Sequence, residues 1–181
     1  MKYFKFLLPF VGVLLGATVT ISQQADEEML LSQLSQADSE AAIRIDRELQ
    51  SIWSKTGSSA MDVLMRRGQD ALESQDYRQA IEHFTALTDH APDFAAGWHL
   101  RATAFLRLDL LGPAVADLEH ALALNPSNYH AIFSLANVLE QLDKLPEAHE
   151  AYSIIAMIHP HFAGVDDALS RTELRLKGSS L

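Results

Sequence analysis

The chain has 181 residues, 48% of them apolar, and a mean hydropathy of +0.01, which permits a packed domain with additions and excludes a mainly disordered state. Against 14 basic side chains there are 24 acidic ones, a formal charge of −10; this balance repels nucleic acid and anionic lipid and leaves proteins or peptides as the expected partners. Cysteine is absent, so disulfides, thiolate zinc sites and a lipidated cysteine are all excluded.

The first element is a leader. Lys2 and Lys5 precede an apolar run from Phe6 to Ile21, which gives way to Ser22, Gln23, Gln24, Ala25 and the acidic stretch Asp26-Glu27-Glu28. A basic start, an apolar middle and a polar exit are the parts of a secretory signal peptide. The run contains Pro9, Gly12 and Gly16 and falls short of the roughly 20 apolar residues that a membrane span needs. The expected signal peptide is therefore residues 1–25, with a mature start near 23 to 26. Left uncleaved, it would tether the body to the inner membrane.

Residues 26–57 carry Met29, Leu30 and Leu34, then Ala41, Ala42, Ile45, Leu49 and Ile52 at helical spacing. This pattern predicts a short helix and a longer one, with Asp38 or Ser39 as the cap between them. The pair is expected to cap the open end of whatever follows, or alternatively to serve as a docking or dimerisation element. Lys55 to Ser59 breaks the pattern, and Ser59 with Asp62 has the form of a capping box for the next helix.

From residue 61 the chain repeats itself. Pro92, Pro126 and Pro160 are 34 residues apart, as are Ala80, Ala114 and Ala148. Units at 61–94, 95–128 and 129–162 also align the small residues Gly68, Ala102 and Ala136, and the large ones Phe84, Leu118 and Tyr152. Small side chains let two helices of a hairpin approach closely. Prolines close each second helix and turn the chain into the next unit. Periodicity inside the units is helical, as in Trp98, Ala102, Phe105 and Leu106. The turns read Gln75-Asp76, Leu110-Leu111-Gly112 and Asp143-Lys144-Leu145, with Pro113 and Pro146 suited to a first helical turn.

Period and positions together resemble the tetratricopeptide repeat, whose unit is an antiparallel helix pair. The opening tryptophan of that pattern is present at Trp98 and replaced by Leu64 and Ile132; its leucine before the small residue is Arg67, Arg101 and Leu135. The resemblance implies an all-α solenoid of three helix-turn-helix repeats with flanking helices, and a concave face built from the first helix of each unit. The groove-facing side chains it implies are Met65, Arg66, Gln69, Glu73, His99, Thr103, Arg107, His130, Phe133, Asn137 and Gln141, a mixture suited to holding a peptide. Some relatives clamp a partner's terminal carboxylate with basic and amide side chains. Here those places hold Met65, Gln69, Leu100, His130 and Ser134, so that clamp is not expected. Leader and repeats together point to an adaptor or scaffold in the periplasm of a Gram-negative envelope, with self-association through the N-terminal helices as the alternative and a histidine-based metal carrier or small enzyme behind it.

After Pro160, the residues Val165, Leu169, Leu174 and Leu176 alternate with charges and predict a C-terminal capping helix within 163–181. Eight histidines are spread over the repeats, and only His159-Pro160-His161 brings two together; zinc needs three or four convergent ligands, so no metal and no cofactor is expected. Their number predicts sensitivity to pH near about 6.5. The sequence has no nucleophile elbow, glycine-rich phosphate loop or His-Glu-x-x-His pair, and Glu82-His83 and Glu119-His120 are helical neighbours that point apart. No catalytic residue and no enzymatic activity is expected.

Overall fold

A computed structural model describes the backbone of residues 13–178 and the side chains of residues 24–178. Residues 1–12 of the expected leader lie outside the described residues, and the backbone of residues 13–25 forms the start of the first helix. The described residues form nine helices and no strand: α1 (Val13–Leu34), α2 (Ser39–Trp53), α3 (Ser59–Glu73), α4 (Tyr77–His90), α5 (Ala95–Arg107), α6 (Leu111–Leu124), α7 (Tyr129–Gln141), α8 (Leu145–Ile158) and α9 (Val165–Gly178). Among the described residues no helix is long and apolar enough to cross a membrane.

The hairpins α3–α4, α5–α6 and α7–α8 coincide with the three 34-residue units. Each hairpin turns through a residue in the left-handed region, Gln75, Asp109 and Asp143, at φ of 63°, 57° and 59°. The same pair of bonds closes the helix before each turn: the amides of Asp76, Leu110 and Lys144 donate to the carbonyls of Ala71, Phe105 and Leu139 at 2.9, 3.0 and 2.9 Å, and those of Gln75, Asp109 and Asp143 to the carbonyls of Leu72, Leu106 and Glu140 at 3.1 Å each. This double closure satisfies carbonyls that a helix end otherwise leaves open.

Small residues do the work assigned to them. Ala80, Ala102, Ala114, Ala136 and Ala148 are fully buried, as are Phe84, Leu118 and Tyr152 opposite. At Gly68 any β-carbon would collide with the Phe84 ring, so the first hairpin closes only with glycine there.

The N-terminal hairpin α1–α2 sits elsewhere than expected. Asp38 caps α2 as predicted, its carboxylate accepting from the Ala41 amide at 2.8 Å. However, Leu30, Leu34, Ala42, Ile45 and Leu49 share one core with Tyr129, Ile132, Tyr152 and Ile155 of the third repeat, and with Val165 of α9. The core of the first repeat, built on Met65, Ala71, Ala80, Phe84 and Leu87, includes no residue of 26–57. The pair therefore packs on the far end of the array instead of covering α3 and α4. The physical reason is the size of the apolar seat: Tyr129, Phe133 and Phe162 offer a large aromatic surface beside α7, whereas the first repeat presents Arg66, Arg67 and Asp70, all exposed. The expected capping box is also absent. Ser58 is the N-cap of α3 without a side-chain bond, and the Thr56 hydroxyl donates to the Asp62 carboxylate instead.

The C-terminal helix packs on α8 through Val165, Ala168 and Thr172, while Leu174 is 71% exposed. Of the four expected apolar residues Val165 is buried and Leu169 and Leu176 are half-buried, so Leu174 alone departs; Thr172, which the apolar pattern did not mark, lies on the packed side with its hydroxyl 2.8 Å from Nδ1 of His149.

Candidate peptide-binding groove

The first helices α3, α5 and α7 supply the concave face, and the residues expected to line it divide into three groups. Arg66, Gln69, Glu73, Arg107 and Gln141 are exposed. Thr103, Asn137, His99, His130 and Phe133 are half-buried and already engaged within the chain. Met65 is 7% exposed and joins the core of the first repeat, and it also borders the cleft shared with Gln69 and His99. Phe133 also differs from expectation: its ring lies 5.7 Å from Tyr152 and 5.0 Å from Phe162, so it holds the third repeat together as well as facing the groove.

The engaged polar residues form a chain of bonds. Thr103 donates its hydroxyl to the His99 carbonyl at 3.0 Å, the usual fate of a helical threonine. Nε2 of His99 approaches the Ser134 hydroxyl at 3.4 Å. Asn137 accepts from the Tyr152 phenol at 2.8 Å. Burial, with the neighbouring His130 adding to it, pushes the His99 imidazole down to about 4, so it is neutral at physiological pH. His159 is also pushed down, first by burial.

The sequence did not single out the edge of the groove where α2 lies. The Tyr129 phenol donates to Asp46 at 2.6 Å, and His130 Nε2 stands 3.1 Å from the same carboxylate oxygen. Gln50 reaches His130 as well. Trp53 meets the Tyr129 ring edge to face at 5.3 Å, and its indole N–H donates to Glu27 at 2.8 Å. Burial alone would raise the Asp46 carboxyl; the bonds from Tyr129 and His130 outweigh it and hold the carboxyl below the usual range. Burial, then the bond to Asp46, pushes the Tyr129 phenol up. The available signal was Asp46 itself, an acid adjoining the apolar stripe Ala42, Ile45 and Leu49.

Two further networks fix the walls. Arg101, which stands where the repeat pattern has leucine, forks onto Asp117 at 2.7 and 2.8 Å and bonds the Thr88 hydroxyl at 3.0 Å. Its guanidinium lies 4.7 Å from the centre of the Trp98 ring. One side chain thereby joins α4, α5 and α6. At the other end Glu140 accepts a two-pronged bond from Arg171 at 2.8 Å and a third from Arg175 at 3.2 Å, tying α9 to α7. The bonds from Arg171 hold the Glu140 carboxyl down at about 2, against the opposing effect of burial.

Among the described residues no group of three or more His, Asp or Glu side chains is placed to hold a metal. Exposed cations, amides and hydroxyls along helices of fixed spacing can do one thing chemically: donate hydrogen bonds and pair charges along an extended or helical ligand.

Residues 65–112 match the family model for the tetratricopeptide repeat. A TPR repeat-containing protein of Rhizobium etli is 27% identical over 125 residues, which are 68% of this chain and 60% of that protein. Sperm-associated antigen 1 of Mus musculus is 30% identical over 113 residues, 62% of this chain and 12% of the antigen. The chain thus matches 60% or less of the length of these relatives. The first TPR domain of human RPAP3 is similar in structure, with a TM-score of 0.62 at 26% identity, over 66% of this chain and 94% of the domain. The first TPR of Spaghetti, solved bound to the HSP90 peptide SRMEEVD, gives 0.63 at 26% identity over 65% and 93%. The type III secretion chaperone SycD of Yersinia enterocolitica, solved with a peptide of the translocator YopD, shares the fold at 15% identity and a TM-score of 0.61, over 65% and 95%. The chain is accordingly an all-α solenoid with the fold of the tetratricopeptide-repeat proteins that it is similar to, and its residues 65–112 match that family's model.

Proposed function

We propose that the chain is a protein- or peptide-binding adaptor that engages its partner through the open part of the concave face, where Arg66, Gln69, Glu73 and Arg107 are exposed. The observation that carries this reading is the division of the face. Its third-repeat edge is filled by α2, while the first helices of the first two repeats keep charged and amide side chains in solvent. Structural neighbours of the same fold that were solved with bound peptides support it. The basic and apolar start of the chain supports export, and with it a place in a bacterial envelope as periplasmic scaffold.

The test is crosslinking capture from intact cells with a C-terminally tagged chain, comparing wild type with Arg66→Ala/Gln69→Ala/Arg107→Ala. These exposed side chains carry little core, so helicity should be unchanged and capture of the partner should fall by at least about tenfold, the loss of roughly 1.4 kcal/mol or more. Equal capture by both would move the binding face to the convex side. The mature N-terminus, read by mass spectrometry on the same material, should fall near residue 23 to 26.

A further inference from the structure

The inner end of the open face is a surface cleft of about 170 Å³ where α2, α3, α5 and α7 meet, roughly the space of six water molecules and enough for one side chain. Gln50, Gln69, His99, Asn128 and His130 line it beside Trp53, and among the described residues no aspartate, glutamate, lysine or arginine does. Gln50 and His130 are tied to Asp46, which does not line the cleft, so any charge on the His130 ring is met by that carboxylate.

Two of the lining groups lack partners. Asn128 is 4% exposed. Its side-chain oxygen accepts from the Ala131 amide at 3.2 Å, the N-cap bond of α7, and its Nδ2 protons meet no acceptor among the described residues. A buried amide donor left open is costly and uncommon. His99 offers the complement. The Ser134 hydroxyl gives its single proton to the His130 carbonyl at 3.0 Å, so in its 3.4 Å contact with His99 the imidazole Nε2 is the donor. Burial keeps that ring neutral, its pKa pushed down to about 4, and Nδ1 is left as an open acceptor.

We infer that this cleft is a side-chain subsite for an uncharged carboxamide, the side chain of a glutamine or asparagine in the partner peptide. A carboxamide carries what the two open groups need, a carbonyl to accept from Asn128 and an N–H to donate to His99. A carboxylate sets a lone pair against the His99 lone pair and loses its hydration with no free cation in return; an ammonium meets the Asn128 N–H groups donor to donor. The inference rests on the reading of the concave face as the binding face and adds a specificity to it. Gln69 belongs both to that face and to the cleft, whereas Arg66 and Arg107 do not line the cleft.

The test is titration of the isotope-labelled full chain at neutral pH with N-acetyl-glutamine methylamide and, separately, with its isostere N-acetyl-glutamate methylamide. Nuclear magnetic resonance follows the Asn128 side-chain amide and the backbone amides of α3 and α5. The glutamine compound should shift these signals saturably and bind at least about tenfold tighter than the glutamate compound. Asn128→Asp keeps an oxygen for the helix cap but removes the donor, and should erase that preference with helicity unchanged. If this variant unfolds, His99→Leu, which removes the acceptor, replaces it with the same expectation. Equal affinity for the two compounds, no saturable shift with either, or a preference retained in a folded variant overturns the inference. Arg66→Ala/Arg107→Ala should bind the glutamine compound as wild type does. Partner capture lost in that variant while the compound still binds therefore reports on the face alone, and compound binding absent from wild type with capture intact reports on the cleft alone.

Discussion

Arg101 and Asp117 are 14% and 7% exposed at their side chains, and a buried ion pair of this kind is costly to break from one side only. Asp117→Ala leaves a guanidinium buried against Trp98 and Thr88 without its counter-charge, and should cost about 3–5 kcal/mol. Urea denaturation monitored by circular dichroism measures it. Arg101→Leu/Asp117→Leu should recover most of the loss, because the repeat accepts leucine at the first position; a double variant as unstable as the single one would contradict the desolvation argument. A steric test stands beside this electrostatic one. Gly68→Ala pushes a methyl group into the Phe84 ring, and should destabilise by about 1–3 kcal/mol on the same assay. The glycine was legible because the spacing of Gly68, Ala102 and Ala136 singles out positions where only small side chains fit. The arginine was legible only as a departure from the repeat. Its carboxylate partner lies 16 residues away on another helix, and the pairing follows from the hairpin geometry that the period alone does not give.

Among the elements, α9 shows how a terminal helix is held by charge as much as by packing. Glu140 titrates near 4.5 when free and is held at about 2 in the fold by Arg171 first, with Tyr152 and Arg175 adding to it. A depressed carboxyl contributes stability that is fully present above its free value and is lost as pH falls through its folded value. Hydrogen exchange of α9 should therefore show full protection above about pH 4.5 and progressive loss toward pH 2. Glu140→Gln should weaken the docking by about 1–3 kcal/mol and flatten that pH dependence; an unchanged profile in the variant would assign it to another group. The helix itself was readable from its apolar period. Its buried face was readable at Val165, Leu169 and Leu176 but not at Thr172, which bonds His149, nor at Leu174, which is left in solvent, because a hydrophobic count ranks those two residues the other way. The same applies to α2, whose stripe of Ala42, Ile45 and Leu49 announces a face to be covered and leaves open which surface covers it.

Across the whole molecule, three hairpins in register create a face that the N-terminal hairpin partly occupies. The array was predictable because its period is imposed by sterically obligatory residues, prolines at the unit ends and alanines where neighbouring hairpins meet. The seating of α1–α2 on the third repeat was not, because it depends on Tyr129, Phe133 and Phe162 converging from α7 and the loop after α8, residues that look unrelated along the chain. This seating covers the α7 edge and leaves Arg66, Gln69, Glu73 and Arg107 exposed on α3 and α5, which is the part of the face that the proposed function uses. The measurement that tests this account most directly is hydrogen exchange of the full chain with and without its captured partner, resolved by peptide. The account predicts added protection in α3 and α5 around Arg66, Gln69 and Arg107. Protection confined to the second helices α4, α6 and α8 would contradict it, and would place the partner on the convex face.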